Sequence, residues 1–153
     1  MSNLSEGLQQ KENQIRQIVS EMRKMEGSVN VLQQRFSQVM AAVSELRLAE
    51  KSLVDLRETQ PDSNLLVPVG GGAFIDAKMG SIEKVVVGIG AGVSLEMQYD
   101  AAVEDVKGRL TEMEKAQTAI DQQLRQILAQ IESHQSMAER LSSEIQGSVQ
   151  GSI

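Results

Sequence analysis

Two long stretches of this chain keep apolar residues on a strict seven-residue beat, and few folds accommodate that. Steps of seven from Leu8 give Ile15, Met22, Val29, Phe36 and Val43 before Glu50 breaks the series. An interleaved series runs Leu4, Lys11, Ile18, Met25, Leu32, Val39, Leu46 and Leu53, so thirteen of fifteen positions are apolar. A seam sustained over about seven heptads is the pattern of a coiled coil, not of an ordinary surface helix. The spacing predicts a helix over 5–59, ended by Pro61, which has no N–H to give and disfavours helix in the residue before it.

The beat returns after Asp100. Val103, Leu110, Gln117, Leu124, Ile131, Ala138 and Ile145 alternate with Val106, Met113, Ile120, Ile127, His134, Leu141 and Ser148, and eleven of these fourteen are apolar. A second helix over 100–147 follows. Each arm spans ~70–75 Å at 1.5 Å per residue, and neither can bury its stripe alone. Joined by a connection of about 40 residues, the arms are expected to fold back on each other as an antiparallel pair with both chain ends at one tip. Gly27 and Gly108 within the helices, and Gln117 and His134 on the seam, read as local loosening or register control.

Between the arms the composition changes abruptly. Seven of the twelve glycines fall in LLVPVGGGAFIDAKMGSIEKVVVGIGAGVSLEM, residues 65–97. Leu65 to Val69 and Ala73 to Lys78 flank Gly70, Gly71 and Gly72, which supply the positive φ angles of a hairpin turn. Lys84 to Ile89 and Val93 to Met97 repeat the arrangement around Gly90, Ala91 and Gly92, with Val93, Leu95 and Met97 alternating against Ser94 and Glu96. Pro68 fits such a strand only at an edge or where no ladder bond is donated. Two hairpins of five-residue strands, without a globular core, leave open edges and an uncovered Val-rich face, which other subunits would cover. The block therefore reads as an oligomerisation module built on Leu66, Val67, Val69, Phe74, Ile75, Val85, Val87, Ile89, Val93 and Leu95.

Chemistry of other kinds finds little support. Gly88, Gly90 and Gly92 are spaced G-x-G-x-G, with Val93 where a dinucleotide loop needs its third glycine, and the segment leads into a strand instead of a helix N-terminus. Gly70 to Gly72 lack the Gly-Lys-Ser/Thr ending of a phosphate loop. The single His134 cannot build a metal cluster with Glu132 and Glu139, and the chain has no cysteine, so a thiolate site and a disulfide framework are both excluded. Glu104 with Asp105, and Glu112 with Glu114, read as solvated helix faces. No enzyme activity and no cofactor or metal are expected. A net charge of -6, with Lys and Arg interspersed among acids, opposes nucleic-acid binding. The absence of a leader-like N-terminus or an apolar run of ~18 residues argues against membranes and for a soluble, cytoplasmic protein.

The order long helix, LLVPVGGGAFIDAK, KVVVGIGAGVSLEM, long helix resembles the α-class subunit of prefoldin. The closest echoes are Leu66-Val67-Pro68-Val69-Gly70 with Ala73-Phe74-Ile75, and Val87-Gly88-Ile89-Gly90-Ala91-Gly92-Val93. The resemblance implies an α+β, mainly α subunit: a coiled-coil hairpin whose two β-hairpins, over 64–97, join an oligomeric β-barrel. It implies a hexamer of two α-class with four one-hairpin β-class chains, whose tips hold non-native proteins and pass them to a group II chaperonin without ATP. Leu4, Leu8, Ile15, Met137, Leu141, Ile145 and Val149 stand near the helix ends, where they either contact such clients or simply close the coil. The three consecutive glycines of the first turn and the Gly, Ser and Gln tail depart from the family pattern. A filament or scaffold polymerised through the hairpins is the alternative, since some prefoldin-like chains assemble that way.

Overall fold

The computed structural model describes residues 2–151. Two long helices, α1 (Ser2–Glu58) and α2 (Tyr99–Gln150), flank four strands, β1 (Asn64–Gly70), β2 (Ala73–Lys78), β3 (Lys84–Gly90) and β4 (Val93–Gln98). Against the ranges the periodicity indicates, α1 starts three residues earlier and ends one earlier, and α2 starts one earlier and ends three later. The chain divides into a terminal unit, Met1–Gln38 with Ala116–Ile153, and a central unit, Val39–Lys115.

In the terminal unit the N-terminal part of α1 pairs with the C-terminal part of α2. Lys11 Nζ lies 3.0 Å from Glu144 Oε2, and Glu21 Oε2 lies 2.8 Å from His134 Nε2. Ten residues forward on α1 correspond to ten backward on α2, so the pairing is antiparallel. The buried residues here are Ile18, Val29 and Leu32. Lys11, one of the two polar residues on the first seam, is half-buried while its ammonium pairs with Glu144.

In the central unit Val43, Tyr99, Ala102 and Val106 form the core, and Ala102 alone has no exposed surface. The Tyr99 hydroxyl donates to the Leu53 carbonyl (2.9 Å), and the Arg57 guanidinium lies 4.3 Å above the ring centroid. Counting both units, every heptad position from Leu8 to Leu53 and from Val103 to Ser148 is buried or half-buried, the pattern a paired seam demands. Leu4 is the one seam residue left exposed.

α1 ends where Thr59 Oγ1 donates to the Asp55 carbonyl. Gln60-Pro61-Asp62-Ser63 then form a turn closed by Ser63 N–H to Gln60 C=O, with Asp62 at a φ of 64°. Proline second and a positive φ third is the geometry of a type II turn, at which Asp, unlike a branched residue, tolerates the left-handed region.

Each hairpin is its own two-stranded antiparallel sheet. The glycine stretches work differently from a three-residue loop. Gly70 and Gly90 belong to the strands, pairing with Ala73 and Val93 across a register shift that leaves Val69 and Ile89 as bulged residues. The turns proper are two residues long: Gly71-Gly72 at φ of 57° and 77°, and Ala91-Gly92 at 51° and 75°. Two positive φ angles make the type I′ turn whose twist matches the strands.

Candidate functional site

The two hairpins are copies of one another offset by twenty residues. Leu65↔Ala77, Val67↔Ile75 and Gly70↔Ala73 in the first match Val85↔Met97, Val87↔Leu95 and Gly90↔Val93 in the second. The closing bonds match too: Met79 N–H donates to Ser63 C=O (2.8 Å), and Tyr99 N–H to Glu83 C=O (2.9 Å).

These bonds fix which main-chain groups face outward. Hydrogen-bonded and non-bonded pairs alternate in an antiparallel ladder, so counting from Ser63/Met79 makes Leu65/Ala77 and Val67/Ile75 the bonded pairs. Leu66/Asp76 and Pro68/Phe74 then direct their main-chain groups away from the hairpin, as do Val86/Glu96 and Gly88/Ser94. Pro68 thus sits where no ladder N–H is required. The Gly88 carbonyl, on the outer edge, accepts a hydrogen bond from Arg109 Nη1 (2.7 Å), whose Nε is 2.9 Å from Asp105 Oδ2. Among the described residues, no strand of the chain pairs with these outer edges.

The side chains follow the same alternation. One face of each hairpin is wholly apolar: Leu65, Val67, Ile75 and Ala77, then Val85, Val87, Leu95 and Met97. Leu65, Ala77, Val85, Val87 and Met97 are half-buried, whereas Val67, Ile75 and Leu95, nearer the turns, are exposed. On the opposite face Leu66 is 68% exposed, and Phe74 is exposed as well. Val69, Ile89 and Val93 at the turn ends complete the exposed set. Sequence reasoning passed over Val86, which at 70% is the most exposed large apolar residue among the described residues. It is the twenty-residue counterpart of Leu66, and the unbroken run Val85-Val86-Val87, apolar on both faces, is the signal that marks it. An unpaired apolar surface of this kind, bounded by open strand edges, is fitted to take further strands.

Of the residues near the helix ends, Leu4, Met137 and Val149 are exposed, while Leu8, Ile15, Leu141 and Ile145 are half-buried on the seam. Met137 and Leu141 line a groove of about 470 Å³ with Ile18, Glu21, His134 and Arg140. Sequence reasoning placed His134 on the seam but had no means of pairing it with Glu21. The Glu21 carboxyl is held below its ordinary range chiefly by the hydrogen bond to His134, and the imidazole is pushed up chiefly by the same bond.

Three of the four carboxylates considered for acid/base work are engaged in ion pairs: Asp105 with Arg109, Glu112 with Lys115, and Glu114 with Arg47, while Glu104 is exposed. Among the described residues no three His, Asp or Glu side chains are grouped to hold a metal, and no helix is long and apolar enough to cross a membrane.

Comparison with known proteins gives this architecture its place. The Prefoldin subunit family model matches residues 25–144, taking in most of both helices and both hairpins. The prefoldin subunit alpha of Methanopyrus kandleri is 32% identical over 116 residues, which cover 76% of this chain and 74% of that protein. The prefoldin subunit alpha of Methanothrix thermoacetophila is 28% identical over 113 residues, covering 74% of each. A cryo-EM structure of filamentous PFD from Methanocaldococcus jannaschii shares the fold with a TM-score of 0.63 at 24% identity, covering 73% of this chain and 93% of that one. With a family match that takes in most of both arms and all the strands between them, the chain belongs to the prefoldin family, as a subunit of the alpha type.

Proposed function

We propose that this chain is an ATP-independent chaperone subunit that assembles through its two hairpins with one-hairpin β-class partners, two copies with four. In that assembly the ends of the helix pair hold non-native polypeptides and deliver them to a group II chaperonin in the cytoplasm. The observation that carries the reading is the pair of hairpins in identical register, each with an exposed apolar surface and unpaired edges, in a chain of the prefoldin family. Strand addition from partner chains would close those edges and cover Leu66, Val67, Val69, Phe74, Ile75, Val85, Val87, Ile89, Val93 and Leu95.

Client holding follows from multiplicity. Each coil end offers only a small apolar patch, from Leu4, Leu8, Ile15, Met137, Leu141 and Ile145. Several such ends on one base act at high effective concentration, so weak contacts hold a flexible chain and exchange locally to release it. Catalysis has no part in this mechanism.

Native mass spectrometry of the chain mixed with a one-hairpin β-class subunit tests the assembly, with the chain alone as control. A discrete complex of two copies with four partners is the expected result. A ladder of homo-oligomers indifferent to the partner would replace this reading with the second one, a filament polymerised through the hairpins. The likeness to a filamentous PFD is the observation behind that alternative.

A further inference from the structure

His134 faces hydrogen-bond acceptors on both sides of its ring. Nδ1 lies 2.9 Å from the Gln130 carbonyl, one turn back on α2, and Nε2 lies 2.8 Å from Glu21 Oε2 on α1. A neutral imidazole carries one N–H and so satisfies one of these acceptors while turning a lone pair on the other. Only the imidazolium, with two donors, satisfies both. Glu21 also feels Lys24 on α1 and accepts from Gln17 Nε2 (3.3 Å), and on α2 Arg140 lines the same groove. Imidazole is the side chain whose ordinary pKa lies near neutrality, so His134 is the group that acts as the switch.

We propose that His134 and Glu21 form a proton-operated clasp across the terminal coiled coil: the protonated ring ties α1 to α2, and deprotonation loosens that tie beside the apolar groove formed by Ile18, Met137 and Leu141. The ring's raised pKa and the carboxyl's lowered one agree with this geometry. A histidine whose folded pKa is raised gives its full stabilisation below the ordinary value of about 6.5 and loses it as pH rises through the folded value. Glu21, lowered, stabilises above its ordinary carboxylate range and loses that contribution as pH falls through its folded pKa. The clasp is therefore tightest in mildly acid solution and slackens on the alkaline side. Its consequence for client holding rests on the proposed function; the clasp itself does not.

Because His134 is the only histidine, its ring can be followed by NMR in the full-length protein labelled with [13C]histidine. The expected result is a midpoint above that of an ordinary exposed histidine, moving back toward the ordinary value in Glu21→Gln, where the Gln130 carbonyl still faces Nδ1, together with a thermal midpoint that falls between pH 6 and pH 8 in the wild type and falls less in the variant. An ordinary wild-type midpoint, or equal midpoints in the two proteins, overturns the clasp. In the assembled complex, suppression of aggregation of a denatured test protein should be lower at pH 6 than at pH 8 for the wild type relative to Glu21→Gln. A ratio that does not change with pH overturns the coupling to the groove. Failure of both proteins to protect at any pH would refute client holding instead, and the NMR titration would still decide the clasp.

Discussion

The hydroxyl of Tyr99 donates a hydrogen bond to the main-chain carbonyl of Leu53, 2.9 Å away. The same residue's N–H donates to the Glu83 carbonyl, so one residue fastens the first turn of α2 both to α1 and to the second hairpin. Among the described residues it is also the only buried aromatic. Tyr99→Phe keeps the ring and its contact with Arg57 but loses the side-chain hydrogen bond, which should cost about 0.5–1.5 kcal/mol. Tyr99→Ala should cost more, through the cavity it leaves. Urea denaturation followed by circular dichroism measures both, and a Phe variant as stable as the wild type would leave the hydroxyl without a structural role.

Gly108 has nothing within 4 Å of where a Cβ would stand, and it lies inside α2 without a positive φ. Gly108→Ala should therefore stabilise the chain by about 1 kcal/mol, raising the thermal midpoint by roughly 2–4 °C. Gly27, equally unobstructed within α1, should behave alike. Destabilisation by either substitution would show that the helix needs the glycine's looseness there.

Gly90 stands at a φ of 107°, outside the small left-handed pocket that Ala91 occupies at 51°. Gly90→Ala should strain the bulge and cost about 1–3 kcal/mol, whereas Ala91→Gly should be tolerated or slightly favourable. Thermal denaturation of the two variants side by side separates the bulge residue from the turn residue.

Leu66→Lys and Val86→Lys place charges at two of the most exposed apolar positions among the described residues, opposite Asp76 and Glu96, so the folded single chain should be unaffected to within ~0.5 kcal/mol. Assembly with β-class partners should nevertheless be lost if these residues meet neighbouring strands. Native mass spectrometry reads the outcome, and deletion of residues 84–97 is the stronger version of the same experiment. An intact complex in either case would remove the hairpins from the interface.

At the helix ends two sets of residues can be separated. Leu4 and Met137 are exposed, so Leu4→Ser with Met137→Ser should weaken aggregation suppression without altering coil stability. Leu8, Leu141 and Ile145 lie half-buried on the seam, so replacing them with Ser should lower both protection and the local stability of the coil. If the exposed pair proves silent and the seam triple does not, clients reach the apolar surface only by opening the coil.

Heptad spacing made the coil legible in the sequence because burial in a paired seam is strictly periodic; from Leu8 to Leu53 and from Val103 to Ser148 no position departs from it. Cross-chain partners were not legible. Lys11 with Glu144, and Glu21 with His134, depend on the register between arms, which spacing within one arm does not determine. The three glycines at 70–72 allow a three-residue loop as readily as a bulge with a two-residue turn, and the second hairpin, where Ala91 replaces a glycine, carried no clearer sign. Val86 lies in a strand that is apolar on both faces, where alternation gives no sign of which residue faces outward. Tyr99 carried no periodic signal at all, since its role depends on a contact forty-six residues away.

The offset of twenty residues that relates the hairpins makes them an interchangeable cassette. Removing residues 66–85 would join Leu65 to Val86, leave strand register, bulge and turn unchanged, and let Ser63 take over from Glu83 as acceptor for the Tyr99 N–H. One excision would thus turn a two-hairpin chain into a one-hairpin chain with both helix junctions preserved, and one duplication would do the reverse. The number of partner-facing modules in such a subunit is then set by a segment short enough to be gained or lost in a single genetic event.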